Sequence, residues 1–336
     1  MLKTKICGLF GIEYPIISAG MGGVALADLA AAVSQAGGLG TIGLAGFSPE
    51  AIHKEIARAR EITQKPLAVN LIIPFLRPGV IDVLVDEPIE AVTFFWGEPD
   101  ESVARLKHAG IKVIWQCGSA AEARMAMNAG ADVIMTQGFE AGGHVRGIVS
   151  TIALVPEVRD AIGDTPMVAA GGMADGRGLA AALALGADGA VFGTRFLASN
   201  EAAAHQTYKD RIVAAHAEET LHTTLFDIGW PNAPHRVLRT PAVEEWERAG
   251  RPPSGQRPGE GQSASALKRS GIELPLVRYS VMAPTNYVEG DLSGLAFYAG
   301  QSCSIVREIL PAGEIVRRIA DEARAVIERR LAPLAR

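Results

Sequence analysis

The residue types able to do chemistry converge in one stretch, Gln137-Gly138-Phe139-Glu140-Ala141-Gly142-Gly143-His144, which directly follows the apolar run Val133-Ile134-Met135-Thr136. Paired glycines let backbone N–H groups come close to a ligand. A histidine just after them titrates near neutral pH and is suited to proton transfer or hydrogen bonding. His144 is therefore the candidate catalytic residue. Glu140 reads as a loop carboxylate capping nearby N–H groups. The other six histidines (His53, His108, His205, His216, His222 and His235) have no comparable surroundings. Two further glycine clusters, Gly171-Gly172-Met173 and Gly193-Thr194, end short apolar runs, as do the neutral amides Asn70, Gln116 and Gln137. Gly20-Met21-Gly22 and Phe95-Trp96-Gly97 complete the set.

These clusters need a scaffold that brings run ends together. Apolar runs too short for helices lie at 14–19, 39–44, 66–71, 90–95, 111–116, 133–137, 166–170 and 190–193, with helical segments at 24–35, 48–62, 99–108, 120–128 and 174–185. Ser48-Pro49 opens one helix with a cap residue and a first-turn proline. Gly37-Gly38, Gly110, Gly130 and Gly186 stop helices just before new strands. Strand–helix alternation implies a parallel sheet. Eight units in about 200 residues predict an α/β fold of the (β/α)8 TIM-barrel type, with its active site at the C-terminal strand ends.

On that scaffold Gly171, Gly172, Gly193 and Thr194 follow strands seven and eight, where barrels commonly hold a phosphate on backbone N–H groups. The remaining strand ends are amides, Met21 and Trp96, almost without charge. Such a lining suits a flat, hydrogen-bonding heterocycle. Phosphate at one end and a polar ring at the other point to FMN.

After residue 199 the pattern changes. Residues 205–221 read as a helix, 226–298 show no clean period, and 250–265 are rich in Gly, Pro and Ser, a mobile loop or a surface excursion. Residues 305–331 return to an amphipathic helix. The expected organisation is a barrel of 1–204 and 305–336, with 205–304 as a smaller segment covering its mouth.

Bulk properties narrow the function classes. In 336 residues there are 32 basic and 37 acidic side chains, a net charge of −5, which argues against nucleic acid or an anionic membrane as partner. Cys7, Cys117 and Cys303 are far apart, without disulfide or metal-ligand spacing, so no metal site is expected. No signal peptide or membrane span is evident, and a cytoplasmic protein is expected.

Gln137–His144, with Gly171-Gly172-Met173-Ala174-Asp175-Gly176-Arg177 and Gly193-Thr194-Arg195-Phe196, resembles the nitronate monooxygenase family, formerly called 2-nitropropane dioxygenases. Pro15-Ile16, Ala19-Gly20-Met21, Val69-Asn70-Leu71, Phe94-Phe95-Trp96-Gly97-Glu98-Pro99 and Tyr298-Ala299-Gly300-Gln301-Ser302 fit the same pattern. The resemblance implies non-covalent FMN, its phosphate on Gly171, Gly172, Gly193 and Thr194 and its ring near Gly20, Met21, Asn70, Gln116, Gly142 and Gly143. Gly22, Gln137 and Met173 join the cofactor set, and Trp96, Tyr298, Gln301 and Ser302 the substrate pocket. His144 would face the substrate. The implied reaction oxidises alkyl nitronates, or nitroalkanes, with O2 to carbonyl compounds and nitrite; a homodimer is the expected assembly. Relatives often carry lysine where Gln116 stands, and some aspartate at Gln137; two amides here alter the charge beside the flavin. The nearest alternative is an NAD(P)H-dependent flavin reductase of the quinone or enoyl-ACP type. A flavin-free phosphate-binding isomerase or lyase and a non-catalytic FMN carrier are the others.

Overall fold

The computed structural model describes residues 2–269 and 271–335. All eight expected runs are parallel strands: β1 (Ile16–Ser18), β2 (Gly40–Gly43), β3 (Leu67–Ile72), β4 (Ala91–Phe95), β5 (Lys112–Cys117), β6 (Val133–Gln137), β7 (Met167–Ala170) and β8 (Gly189–Phe192). Each pairs with its neighbour in sequence, and β1 pairs with β8. The ring closes between β1 and the residue before β2, where Ser18 N–H donates to the Leu39 carbonyl at 3.0 Å and Leu39 N–H to that of Ile16 at 2.9 Å. The fold is the TIM barrel expected from the alternation.

The strand pleat sorts the side chains. Ile17, Leu39, Ala68, Ala91, Ile114, Val133, Met135, Val168 and Val191 fill the barrel interior, and Ile6, Cys7, Phe10 and Ile12 close it from below. The first three of these plug residues lie on helix α1 (Lys5–Phe10), an element too short to show a period in the sequence. The alternate residues, such as Ile42, Val69, Val92, Val113 and Ile134, pack outward against α2 (Ala27–Gln35), α3 (Pro49–Ile62), α4 (Val80–Leu84), α5 (Glu101–His108), α6 (Ala120–Asn128), α7 (Thr151–Ile162) and α8 (Gly176–Ala184). Ser48, Asp100, Ser119 and Asp175 cap four of them by accepting backbone N–H bonds. Helix α7 is missing from the sequence reading because Pro156 interrupts its pattern.

Beyond β8 the expectations need correction. After the short α9 (Thr194–Leu197), the stretch read as a helix over 205–221 is α-helical only in α10 (Gln206–Ala214), with a single 3-10 turn at Ala217–Glu219. Its end is strand β9 (Thr220–Thr223), drawn into an antiparallel pair with β10 (His235–Leu238), so tertiary pairing decides its state. The aperiodic stretch holds α11 (Pro241–Arg248) and a second three-stranded sheet of β11 (Ser263–Arg269), β12 (Ile272–Val277) and β13 (Val288–Gly290). The final helix α12 begins only at Ala312, after Pro311, and ends at Val326, with a wider turn over Ile327–Leu331. Among the described residues no helix is long and apolar enough to cross a membrane.

The Gly/Pro/Ser-rich stretch is a pinned surface excursion. Its Arg257 side chain is 2% exposed, pairs with Asp227 at 2.6 Å and with Glu260, and donates to the Leu225 carbonyl at 2.6 Å. The guanidinium also lies 4.7 Å from the Tyr279 ring centre and holds the Glu260 carboxyl down at about 2, its hydrogen bond being the largest cause. Arg257→Ala is expected to destabilise the protein by about 3 kcal/mol, because it strands two carboxylates built around one cation. Denaturant midpoints would show this; a midpoint equal to wild type would refute the anchor.

Candidate active site

Two residues beyond the apolar interior layer, the same pleat points Thr41, Asn70, Thr93, Gln116 and Gln137 into the upper barrel, so the interior changes there from apolar to polar. Thr41 Oγ1, Thr93 Oγ1 and Gln137 Oε1 are buried with no hydrogen-bond partner among the described residues. Leaving such groups unpaired costs about 1–3 kcal/mol each, so this layer is built to receive a polar ligand. Asn70 Nδ2 donates to the Thr93 carbonyl at 3.4 Å. Its side chain stands where a Cβ on Gly20 would come within 2.2 Å, which is why Gly20 must lack one. Gln116 is half-buried at the end of β5. Gln137 Nε2 donates to the His144 carbonyl at 3.0 Å and so holds the histidine's backbone.

The histidine loop is shared between the barrel and the segment after β8. Gly143 and His144 pair antiparallel with Arg236 and His235 of β10, making the loop the third strand of the sheet of β9 and β10. A Cβ on Gly142 would lie 2.3 Å from the Gly300 nitrogen, so two backbones cross there without side chains. Gly300 N–H donates to Thr194 Oγ1 at 3.0 Å, and Gln301 N–H to the Glu140 carbonyl at 3.0 Å. The Glu140 carboxylate accepts from the Thr151 N–H and hydroxyl, both at 2.9 Å, which makes it a cap for α7 as expected. Segment 298–301 thus ties the loop after β6 to the loop after β8. Gln301 is exposed and Ser302 buried, and they open the turn Gln301–Ile305 rather than stacking on His144.

His144 sits in an aromatic cage. Its ring centre lies 4.1 Å from that of Trp230 at a tilt of 31°, 5.3 Å from His235, 5.4 Å from Tyr298 and 6.0 Å from Trp96. Its Nε2 is buried and unpartnered among the described residues. Burial, reinforced by His235, pushes the His144 pKa down to about 3. The sequence expectation of a histidine titrating near neutrality is therefore corrected: this imidazole is uncharged throughout the physiological range. His235 is neutral as well, pushed to about 4 by burial; its Nδ1 meets the Ala233 carbonyl at 2.9 Å and its Nε2 accepts from Phe226 N–H at 3.3 Å. The Tyr298 hydroxyl donates to the Val281 carbonyl at 2.8 Å, so Tyr298 is a wall and not a proton donor. Trp96 holds φ +68, a conformation costing a non-glycine residue about 1–3 kcal/mol and common where a site imposes it.

At the other end of the mouth, Gly171 (φ +106) and Gly172 (φ +72) adopt left-handed backbone open to glycine, and Gly193 precedes α9. Thr194 Oγ1 accepts from Gly300, which leaves its own O–H free to donate. Arg195 takes no part: its guanidinium donates to the carbonyls of Ala198, at 2.8 Å, and Glu308, at 2.6 Å. Burial lowers its pKa to about 10. Met21 and Met173 are half-buried against the main core, and Met173 lies over Gly178 at the start of α8. Sequence reasoning missed Phe75, Trp230 and His235. The last two lie in the aperiodic segment, where nothing but aromatic density marks them.

The chain resembles known proteins along most of its length. The family model described as nitronate monooxygenase matches residues 3–79 and 77–322. A probable nitronate monooxygenase of Staphylococcus saprophyticus is 37% identical over 67% of this chain and 76% of its own length. A Mycobacterium tuberculosis enzyme, (3aS,4S,5R,7aS)-5-hydroxy-7a-methyl-1-oxo-octahydro-1H-indene-4-carboxyl-CoA dehydrogenase, is 40% identical over 74% of this chain and 70% of its own. Among solved structures, FabK from Thermotoga maritima superposes with a TM-score of 0.80 at 34% identity, covering 98% of each chain. The nitroalkane oxidase of Streptomyces ansochromogenes reaches 0.76 at 30%, covering 96% of this chain and 99% of that one. An upper barrel layer with unpaired polar atoms, a pair of left-handed glycines at the mouth and His144 in its aromatic cage are thus carried by a chain that belongs to the nitronate monooxygenase family and is a flavin oxidoreductase.

Proposed function

We propose that the chain binds FMN and oxidises alkyl nitronates with O2 to carbonyl compounds and nitrite. The observation that carries this reading is the uncharged, buried His144 with an unpartnered Nε2, set beside a layer of unpaired acceptors. Gly171, Gly172 and Gly193 would hold the phosphate with backbone N–H groups and Thr194 with its O–H. Gly20, Met21, Gly22, Asn70, Gln116 and Gln137, with the backbone of Gly142 and Gly143, would meet the ring. FMN, when bound, supplies the electron acceptor.

His144 then serves as a hydrogen-bond donor to a nitronate oxygen. A neutral nitroalkane would first have to lose its α-proton to a base, and an imidazole held near pKa 3 is too weak for that at neutral pH. A nitronate is already ionised, so the site favours it. Trp96, Trp230 and Tyr298 exclude water around the donor, which strengthens its bond to the nitronate's negative charge. In this reading residues 205–304 are the covering segment that completes the site.

A second reading, an NAD(P)H-dependent reductase of an unsaturated thioester, is favoured by the likeness to FabK and to the CoA dehydrogenase. Anaerobic absorbance spectra separate the two. Ethylnitronate alone is expected to change the flavin bands, and NADH to leave them as they were. Bleaching by NADH with no response to nitronate would establish the reductase instead, and a colourless protein that takes up no FMN would sink both readings.

A further inference from the structure

Of the side chains that the covering segment brings against His144, Trp230 comes nearest. It is 7% exposed. Its ring is tilted by 31° over that of His144 at 4.1 Å and lies edge-on to Trp96 and Phe75, each at 4.9 Å. Trp230 therefore touches loops that follow β3, β4 and β6, and it fills the space over one face of the histidine.

The loop that carries it is held from three sides. Asp227 is paired with the buried Arg257 at 2.6 Å. Ile228 N–H donates to the Tyr279 carbonyl at 3.2 Å, and Val281 N–H to that of Ile228 at 3.0 Å. Trp230 N–H closes the turn on the Asp227 carbonyl at 3.0 Å. A side chain seated on such a turn is a fixed wall rather than a swinging lid.

We propose that Trp230 sets the upper size of the substrate, admitting compact anions whose reacting carbon bears short alkyl groups and excluding ring-bearing ones. The chemical class of the substrate rests on the nitronate reading; the size limit does not, because it follows from the volume the indole occupies against Phe75, Trp96 and His144.

Binding separates the two. Calorimetric titration of the holoenzyme with propionate, benzoate and 2-naphthoate, carboxylate analogues of nitronates, needs no turnover. The wild type is expected to bind propionate at least tenfold more tightly than 2-naphthoate, despite the greater apolar area of the naphthyl group. Trp230→Ala is expected to reverse the order by tightening 2-naphthoate at least tenfold, with Trp230→Phe between the two. Equal binding of propionate and 2-naphthoate by the wild type would overturn the proposal. So would an Ala variant that weakens both ligands by one common factor, since that is the mark of a merely structural role. If Trp230→Ala fails to fold, Trp230→Phe and Trp230→Leu carry the same comparison, and an unchanged ligand ratio in both would overturn it. Failure of the wild type to turn over ethylnitronate would remove the nitronate reading and leave the size order to be judged by these titrations.

Discussion

His144→Ala is expected to lower kcat/KM for nitronate by about 10²–10³-fold, the usual effect of removing one preorganised donor from a dry site. Flavin content should stay at wild-type level, because the substitution removes only the His144 side chain and leaves the loop backbone and the proposed ring and phosphate contacts in place. The pH profile carries the sharper test. The folded pKa of His144, about 3, lies below the ordinary histidine value because burial disfavours the charged ring. Neutral imidazole is therefore fully present at and above neutrality and is lost only as the pH falls toward 3. Activity should show no His144 limb between about pH 5 and 8. The same sign applies to stability: the unfolded chain binds protons that the folded one refuses, so stability falls as the solution is acidified below the ordinary histidine pKa. His144→Gln, which keeps a donor, should recover part of the lost rate. A profile with a limb near neutrality that vanishes in His144→Ala would show that the ring does titrate there. In that case the residue would be a general base, and neutral nitroalkanes would return as substrates.

Gly142→Ala is expected to be the most disruptive small substitution in the site, costing about 3 kcal/mol and most of the activity. The added carbon would sit 2.3 Å from the Gly300 nitrogen and 2.5 Å from the Ala299 carbonyl carbon, and neither backbone atom has a flexible side chain's freedom to move aside. Separating these backbones would pull Gly300 off Thr194 and Gln301 off Glu140, loosening both ends of the mouth together. The adjacent Gly143→Ala is the control. Its φ of +75 makes alanine strained, but nothing lies within 4 Å of the new carbon. Its cost should stay near about 1–2 kcal/mol, that of the left-handed conformation alone. Paired urea midpoints with flavin retention would check the contrast, and equal stability of the two variants would refute the backbone crossing.

The same crossing explains why one late motif was legible and its neighbourhood was not. Tyr298-Ala299-Gly300-Gln301-Ser302 stands out as a pattern because Gly300 must pass Gly142 and Glu140 at backbone distance, a constraint that acts on residue type. Trp230, 68 positions earlier than Tyr298, obeys no such local constraint. It is placed by the Arg257–Asp227 pair and by the backbone bonds of Ile228 with Tyr279 and Val281, all of which join residues distant in sequence.

The sequence by itself determined the barrel, its strand limits and the residues at its mouth, because parallel strands and their helices have local periods and glycine stops that a linear reading detects. It also singled out His144, Asn70, Gln137 and the two glycine clusters, since all of them end strands. Only the tertiary structure decided the charge state of His144, the cage of Trp96, Trp230, His235 and Tyr298 around it, and the sheet that β9 and β10 form with the histidine loop. The physical reason is the same for all three. A pKa, a stacked ring and a strand partner depend on which groups surround a residue in space, and here those groups come from a segment whose own sequence has no period to announce its fold.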